Sequence, residues 1–305
     1  MAISRGQLVK ELEPGLNALF GLEYKQYENQ HAEIYTTESS DRAFEEEVML
    51  SGFAQAQVKA EGSGVTFDNA QETFTARYTH ETIALAFSIT EEAIEDNLYD
   101  RLASRYTKAL ARSMAQTKQV KAVNPLINGF GSFTSGDGTA LFATTHPTIA
   151  GTVSNTLTTA ADLNETSLEQ SLIDIASFVD ERGLKIAIQG RKMIIPKELQ
   201  FTAERVMKTP LSTTLTGSDY ARNDINAMMN MGMIPEGYRV NHFLTDTDAF
   251  FIMTDAPNGL KNFVRSPIKT AIEGDFDTGN VRFKARERYS FGWSDPRGIF
   301  GSPGA

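Results

Sequence analysis

The sequence predicts an α+β fold, and three observations predict it. Residues 48–89 are β-rich over a span far longer than one ordinary strand. One helical repeat runs from Thr90 to about Ala122. Near the C-terminus, Val281, Phe283, Ala285, Tyr289, Phe291 and Trp293 alternate with Arg282, Lys284, Arg286, Arg288 and Ser290, a strand with one apolar and one basic face.

Residues 1–45 read as an extended arm with at most short helical pieces. Pro14-Gly15 and the polar stretch Thr36 to Asp41 interrupt any sustained amphipathic period. Beyond the arm, Val58–Glu61 and Val65–Phe67 flank the turn Gly62-Ser63-Gly64. Phe74, Ala76 and Tyr78 then carry the apolar parity, which passes to Ile83, Leu85, Phe87 and Ile89. A one-residue change of register turns a strand over, so a bulge or bend is expected near His80–Thr82. At about 3.3 Å per residue, residues 73–89 would reach about 55 Å, which suits a hairpin projecting from a compact body.

Thr90 is a fitting N-cap, with Glu91 and Glu92 opposing the helix dipole. Ile94, Leu98, Leu102, Tyr106, Leu110 and Met114 recur at spacing four, and Pro125 is expected to block continuation. Arg101, Arg105, Lys108 and Arg112 form a basic stripe on the same helix. From Asn128 to Asn164 the composition shifts to Gly, Ser and Thr, which marks a domain transition. Thr166-Ser167-Leu168-Glu169 reads as a capping box opening a helix stopped at Gly183. A strand at Lys185–Ile188, the buried run Met193–Ile195 and a helix from Pro196 to about Lys208 follow. Residues 209–223 form a long polar loop, the kind that is uncommon unless functional or mobile. A short helix at Ile225–Met231 ends at Gly232, and strands are expected at Tyr238–Phe243 and Ala249–Thr254, the second too apolar for an edge.

Charge and composition narrow the function classes. The net charge is −10 over 305 residues. Residues 1–100 hold 6 Lys+Arg against 19 Asp+Glu, and the remainder holds 23 against 20, so the excess acid lies in the first third. Such asymmetry speaks about partners. With no cysteine there is no disulfide, thiolate nucleophile or sulfur-bound zinc. The four histidines show no metal-ligand spacing, and no cofactor is expected. No apolar run approaches the roughly 18 residues of a membrane span. Asp137 and His146 can be drawn as an acid–base pair, but turn residue and loop histidine is the better reading. No nucleophile–base–orienter set can be named, so no enzyme is predicted.

Taken in order, the elements resemble the major capsid proteins of tailed bacteriophages, with the Hong Kong 97-type fold. Ile89 to Leu98 is similar to the start of that family's spine helix. Gly136-Asp137-Gly138, Leu141-Phe142 and His146-Pro147 resemble a passage common in phage head proteins, Mu-like major head subunits included. The resemblance implies an N-terminal arm over residues 1–47, an E-loop hairpin over 48–88, and a peripheral domain with the spine helix over 89–130. It further implies an axial domain over 131–250 and a return to the peripheral sheet over 251–305. The implied function is an icosahedral head of pentamers and hexamers that encloses double-stranded DNA, with portal, scaffold or decoration proteins as further partners. The location it implies is the virion, after synthesis in the bacterial host cytoplasm. An encapsulin-type nanocompartment shell is the alternative on the same fold. One branch of the family cross-links an E-loop lysine to a neighbour's asparagine. Lys59 is the only lysine of this hairpin and no partner asparagine stands out, so that chemistry is not expected. The inter-subunit contact candidates are Glu45, Glu46, Glu47, Glu61 and Glu72 facing Arg282, Lys284, Arg286 and Arg288. Arg101, Arg105, Lys108 and Arg112 are the candidates for facing the lumen and its DNA.

Overall fold

A computed structural model describes residues 5–90, 92, 99–211, 225–275 and 279–305. The chain builds two four-stranded sheets, two small ribbons and five α-helices among these residues.

The first sheet has the order β1 (Thr36–Ser39), β10 (Leu260–Gly274), β11 (Val281–Trp293), β4 (Glu81–Ile89). Its strands β10, β11 and β4 are antiparallel, and β1 joins β10 in parallel. Helices α1 (Arg5–Gln26) and α2 (Tyr99–Ile127) cover one face. Leu16 and Phe20 of α1 meet Leu110, Ala111 and Met114 of α2 and Phe283 and Ala285 of β11 in one buried cluster. Alternation along β11 dictates this layer, because each inward side chain returns every second residue. Burying a Phe such as Phe283 contributes roughly 1.5–3 kcal/mol.

The second sheet has the order β12 (Ile299–Ser302), β9 (Phe250–Thr254), β7 (Gly190–Ile195), β8 (Tyr238–Val240). Phe250, Ile252, Met193 and Ile195 pack against α3 (Glu165–Ala176) and α4 (Gln200–Lys208). A third cluster, containing Val123, Leu126, Leu141, Phe142, Ile194, Phe251 and Trp293, ties the C-terminal turn of α2 to both sheets.

Several expectations require correction. The arm is not extended: residues 5–26 are helical despite Pro14-Gly15. A mid-helix proline costs about 3 kcal/mol in isolation, but Leu16 and Phe20 are held by tertiary packing that propensity ignores. Only the stem of the hairpin is regular, where β2 (Phe44–Leu50) pairs with β3 (Glu72–Thr79). Residues 51–71 form no strand, and Val58 and Phe67 are fully exposed. Pro125 does not stop α2, which runs to Ile127. Just beyond its end, a Cβ at Gly129 would stand 2.6 Å from the Pro125 carbonyl oxygen and 2.8 Å from the Phe142 ring, an approach only glycine permits.

The capping box is Asn164 with Ser167, two residues earlier than Thr166–Glu169, and the helix ends at Ala176, well before Gly183. Lys185–Ile188 makes only an isolated bridge, Val179 to Lys185. Tyr106 is half exposed, since Ala103, Thr107, Leu110 and Met114 form the inward stripe. The fifteen-residue β10 was not foreseen: Pro267 and two register shifts break its alternation. Residues 250–254 and 299–302 pair in the second sheet, so the segment after residue 250 is divided between the sheets.

Other expectations agree. Strand parity flips at His80, where the chain leaves β3 and enters β4 in a different sheet. β9 lies inside its sheet, and α5 (Ala227–Met231) ends on Gly232 in the left-handed conformation. Thr90 aside, the expected start of α2 falls largely outside the described residues, as does most of the loop at 209–223.

Candidate functional site

The two faces of the first sheet differ in chemistry. On the helix-covered face, Glu287 breaks the apolar parity of β11 and is buried. Its carboxylate takes a 3.4 Å ion pair from Lys118 of α2 and a 3.3 Å hydrogen bond from the Tyr24 hydroxyl of α1. Burial pushes the Glu287 carboxyl up, with Lys118 opposing the shift. One side chain thus ties three elements together.

The opposite face carries the basic row. Arg282, Lys284 and Arg286 are exposed, and Arg288 is half-buried. Arg282 pairs with Asp275. Lys284, Arg286 and Arg288 make no ion pair among the described residues. Their cross-strand neighbours on β4 are Ala86, Ala84 and Thr82, and those on β10 include Lys269 and Ala271. On the β4 side these small neighbours leave the long cations uncovered.

The hairpin stem leaves the body at His80, whose ring bonds Ser40 Oγ (2.9 Å) and Ser290 Oγ (3.0 Å). That buried clamp was missed in the sequence, where a lone histidine at a parity flip was its only signal. Burial lowers the His80 pKa, and Arg288 adds to the effect. Of the five acidic contact candidates, three have partners in their own chain. Glu47 bonds Lys261 and Ser294, Glu46 lies 3.7 Å from Arg77, and Glu45 accepts from Ser40 Oγ at 2.7 Å. Glu61 and Glu72 are exposed, with no ion pair among the described residues. The structure therefore does not bring the acidic and basic candidates together within one subunit.

On α2, Arg105, Lys108 and Arg112 are exposed along one side, while the Arg101 side chain lies outside the described residues. Asp137 and His146 do meet, at 2.7 Å, but both are buried. Thr139 also bonds Asp137, and His146 Nε2 lies 3.2 Å from both the Leu141 carbonyl and Asn155 Oδ1. Asn155 in turn donates to the Leu141 and Pro296 carbonyls. Every polar atom of the pair is turned toward its own loop, so the arrangement is a clasp between 137–155 and the C-terminal segment. No group of three or more His, Asp or Glu side chains is placed to hold a metal ion among the described residues. No helix among them is long and apolar enough to cross a membrane.

Comparison with solved structures identifies the architecture. A virus-like particle protein from Pyrococcus furiosus superposes with a TM-score of 0.54 at 10% identity, covering 95% of this chain and 98% of that one. The capsid of an empty GTA particle gives 0.53 at 12%, covering 89% and 88%. Microbacterium phage Oxtober96 gives 0.52 at 9%, covering 90% of each chain. At such identities the likeness concerns the fold, which is the Hong Kong 97-type capsid fold. A search of curated proteins finds no match. The sequence model of the phage capsid protein family matches residues 72–301, three quarters of the chain, from β3 onward. This chain belongs to the phage capsid protein family.

Proposed function

We propose that copies of this protein assemble as pentamers and hexamers into a closed icosahedral shell around double-stranded DNA. The observation that carries this reading is the hairpin beyond residue 50. Phe53, Val58, Val65 and Phe67 are all largely exposed there, over a stretch without regular structure. So much apolar surface on a projecting segment calls for a neighbouring molecule to cover it. In this reading the first sheet with α2 is the peripheral domain, α2 is the spine helix, the hairpin is the E-loop, and the second sheet belongs to the axial domain. Exposed Arg105, Lys108 and Arg112 suit sequence-independent contact with packaged DNA. The protein is then a virion component, made in the host cytoplasm, with portal and scaffold or decoration proteins as its other partners.

The charge asymmetry supports the lateral contact. Glu61 and Glu72 lie on the projecting hairpin, and the basic face of β11 is open. Glu45, Glu46 and Glu47 sit at its root and add to the local field. Each exposed pair would contribute roughly 0.2–1 kcal/mol, so repetition around the shell and faster docking carry the effect. The test replaces Arg282, Lys284, Arg286 and Arg288 with glutamate and follows assembly by sedimentation. Loss of shells from a folded variant is expected, with partial recovery when Glu61 and Glu72 are also changed to lysine. Normal assembly of the quadruple variant at both low and high salt would refute the electrostatic contact.

A further inference from the structure

The first sheet ends on an edge that nothing among the described residues protects. Of the four edge strands of the two larger sheets, β1 and β12 have four residues and β8 has three. β4 has nine, Glu81–Ile89, and pairs with β11 in unbroken register. Among the described residues, no backbone group outside β11 bonds to it. It contains no Lys, Arg or Pro, and its one charge, Glu81, stands at its first position. Its centre is apolar and open: Ala84 and Ala86 are exposed, and Leu85 is 45% exposed. Soluble proteins normally blunt such an edge with charge, proline, a bulge or brevity. β10 carries both a proline and register shifts, so such devices occur elsewhere in this sheet.

The sequence of the edge is self-complementary. Read outward from Leu85 in both directions, it gives Ala84 and Ala86, then Ile83 and Phe87, then Thr82 and Ser88. We propose that β4 is a two-fold interface, pairing antiparallel with β4 of a second copy about an axis through Leu85. Leu85 then faces Leu85 of the second copy, alanine faces alanine, Ile83 faces Phe87, and Thr82 faces Ser88. The register sorts chemistry by face. Ile83, Leu85 and Phe87 join their equivalents on the helix-covered side, beside the half-exposed Tyr106, whose ring lies 5.8 Å from that of Phe87. Only small side chains meet on the open side, so the strands close without steric conflict. The two basic rows on β11 end three strand spacings apart, roughly 14 Å. That exceeds the Debye length of about 8 Å at physiological salt, so like-charge repulsion is screened. The result is one continuous sheet from two subunits. The contact is isologous and closes at two copies, and a closed icosahedral shell offers two-fold axes where it fits. It does not depend on the hairpin contact proposed above.

The absence of cysteine makes the test direct. Directly paired residues of antiparallel strands have Cα atoms about 4.5–5.5 Å apart, within disulfide range. Leu85→Cys should therefore convert most of the chain to a disulfide-linked dimer under mild oxidation. Thr82→Cys is the control, because two copies of residue 82 would lie roughly 20 Å apart. It should cross-link at least ten-fold less. The double variant Thr82→Cys with Ser88→Cys, both at exposed positions, should cross-link again and stop at the dimer. Intact Trp293 fluorescence reports folding in each case. The proposal is overturned if Leu85→Cys and the double variant stay monomeric. It is equally overturned if Thr82→Cys cross-links as readily, or if the double variant forms ladders beyond the dimer. Because the readout is a covalent dimer, it is independent of whether shells form.

Discussion

Lys118→Met isolates the buried charge that joins α1, α2 and β11. The substitution keeps most of the side-chain volume and removes the cation 3.4 Å from Glu287, whose side chain is 2% exposed. At that distance and an effective dielectric of about 20 the Coulomb interaction is about 5 kcal/mol. Breaking a buried pair by removing one partner costs about 3–5 kcal/mol in practice. Glu287 can escape part of this cost by taking up a proton. Its pKa is already raised by burial, and losing Lys118 raises it further. A carboxyl whose folded pKa is raised destabilises the fold progressively as pH rises through that value. The variant should therefore lose about 3 kcal/mol or more at pH 7 and clearly less at pH 5. Adding Glu287→Gln should recover most of the loss at pH 7. Urea unfolding of unassembled subunits reads this directly, because Trp293, the only tryptophan, is buried on the same strand. A loss under 1 kcal/mol that is the same at both pH values would refute the reasoning.

Two further expectations follow from single residues. His31 is buried beside Lys118, and its pKa falls from 6.5 to about 4. The neutral ring is the folded form, so stability should be complete above pH 6.5 and fall by at most about 3 kcal/mol between pH 6.5 and 4. His31→Gln should flatten that slope in urea melts, and an unchanged slope would contradict it. Gly129→Ala should destabilise by about 1–3 kcal/mol, since its Cβ would meet the Pro125 carbonyl and the Phe142 ring. A neutral effect in thermal unfolding would show that residue 129 does not pack this closely on Pro125 and Phe142.

Much of the fold was legible where one local rule dominated. The alternation of β11 placed its two faces, and the parity flip placed the turn at His80. Gly232 ended α5 as expected. What stayed hidden depended on partners distant in sequence. Leu16, Phe20 and Tyr24 form a single stripe, meaningful only once α2 and β11 are beneath it, so Pro14-Gly15 looked decisive. Glu287 was noticed only as a flaw in a strand, and its partners lie 169 and 263 positions away. The charge candidates were found as residue types, but Glu47 was already committed to Lys261 within the chain. Asp137 and His146 do come together, yet burial makes them a clasp instead of a reacting pair.

The most direct test of the account is electron cryomicroscopy of the purified full-length protein under assembling conditions. Closed icosahedral shells are predicted, with pentamers and hexamers resolved and each hairpin at 51–71 covered by a neighbouring subunit. Particles that remain monomers or small open oligomers under every condition, with residues 51–71 uncovered, would contradict it.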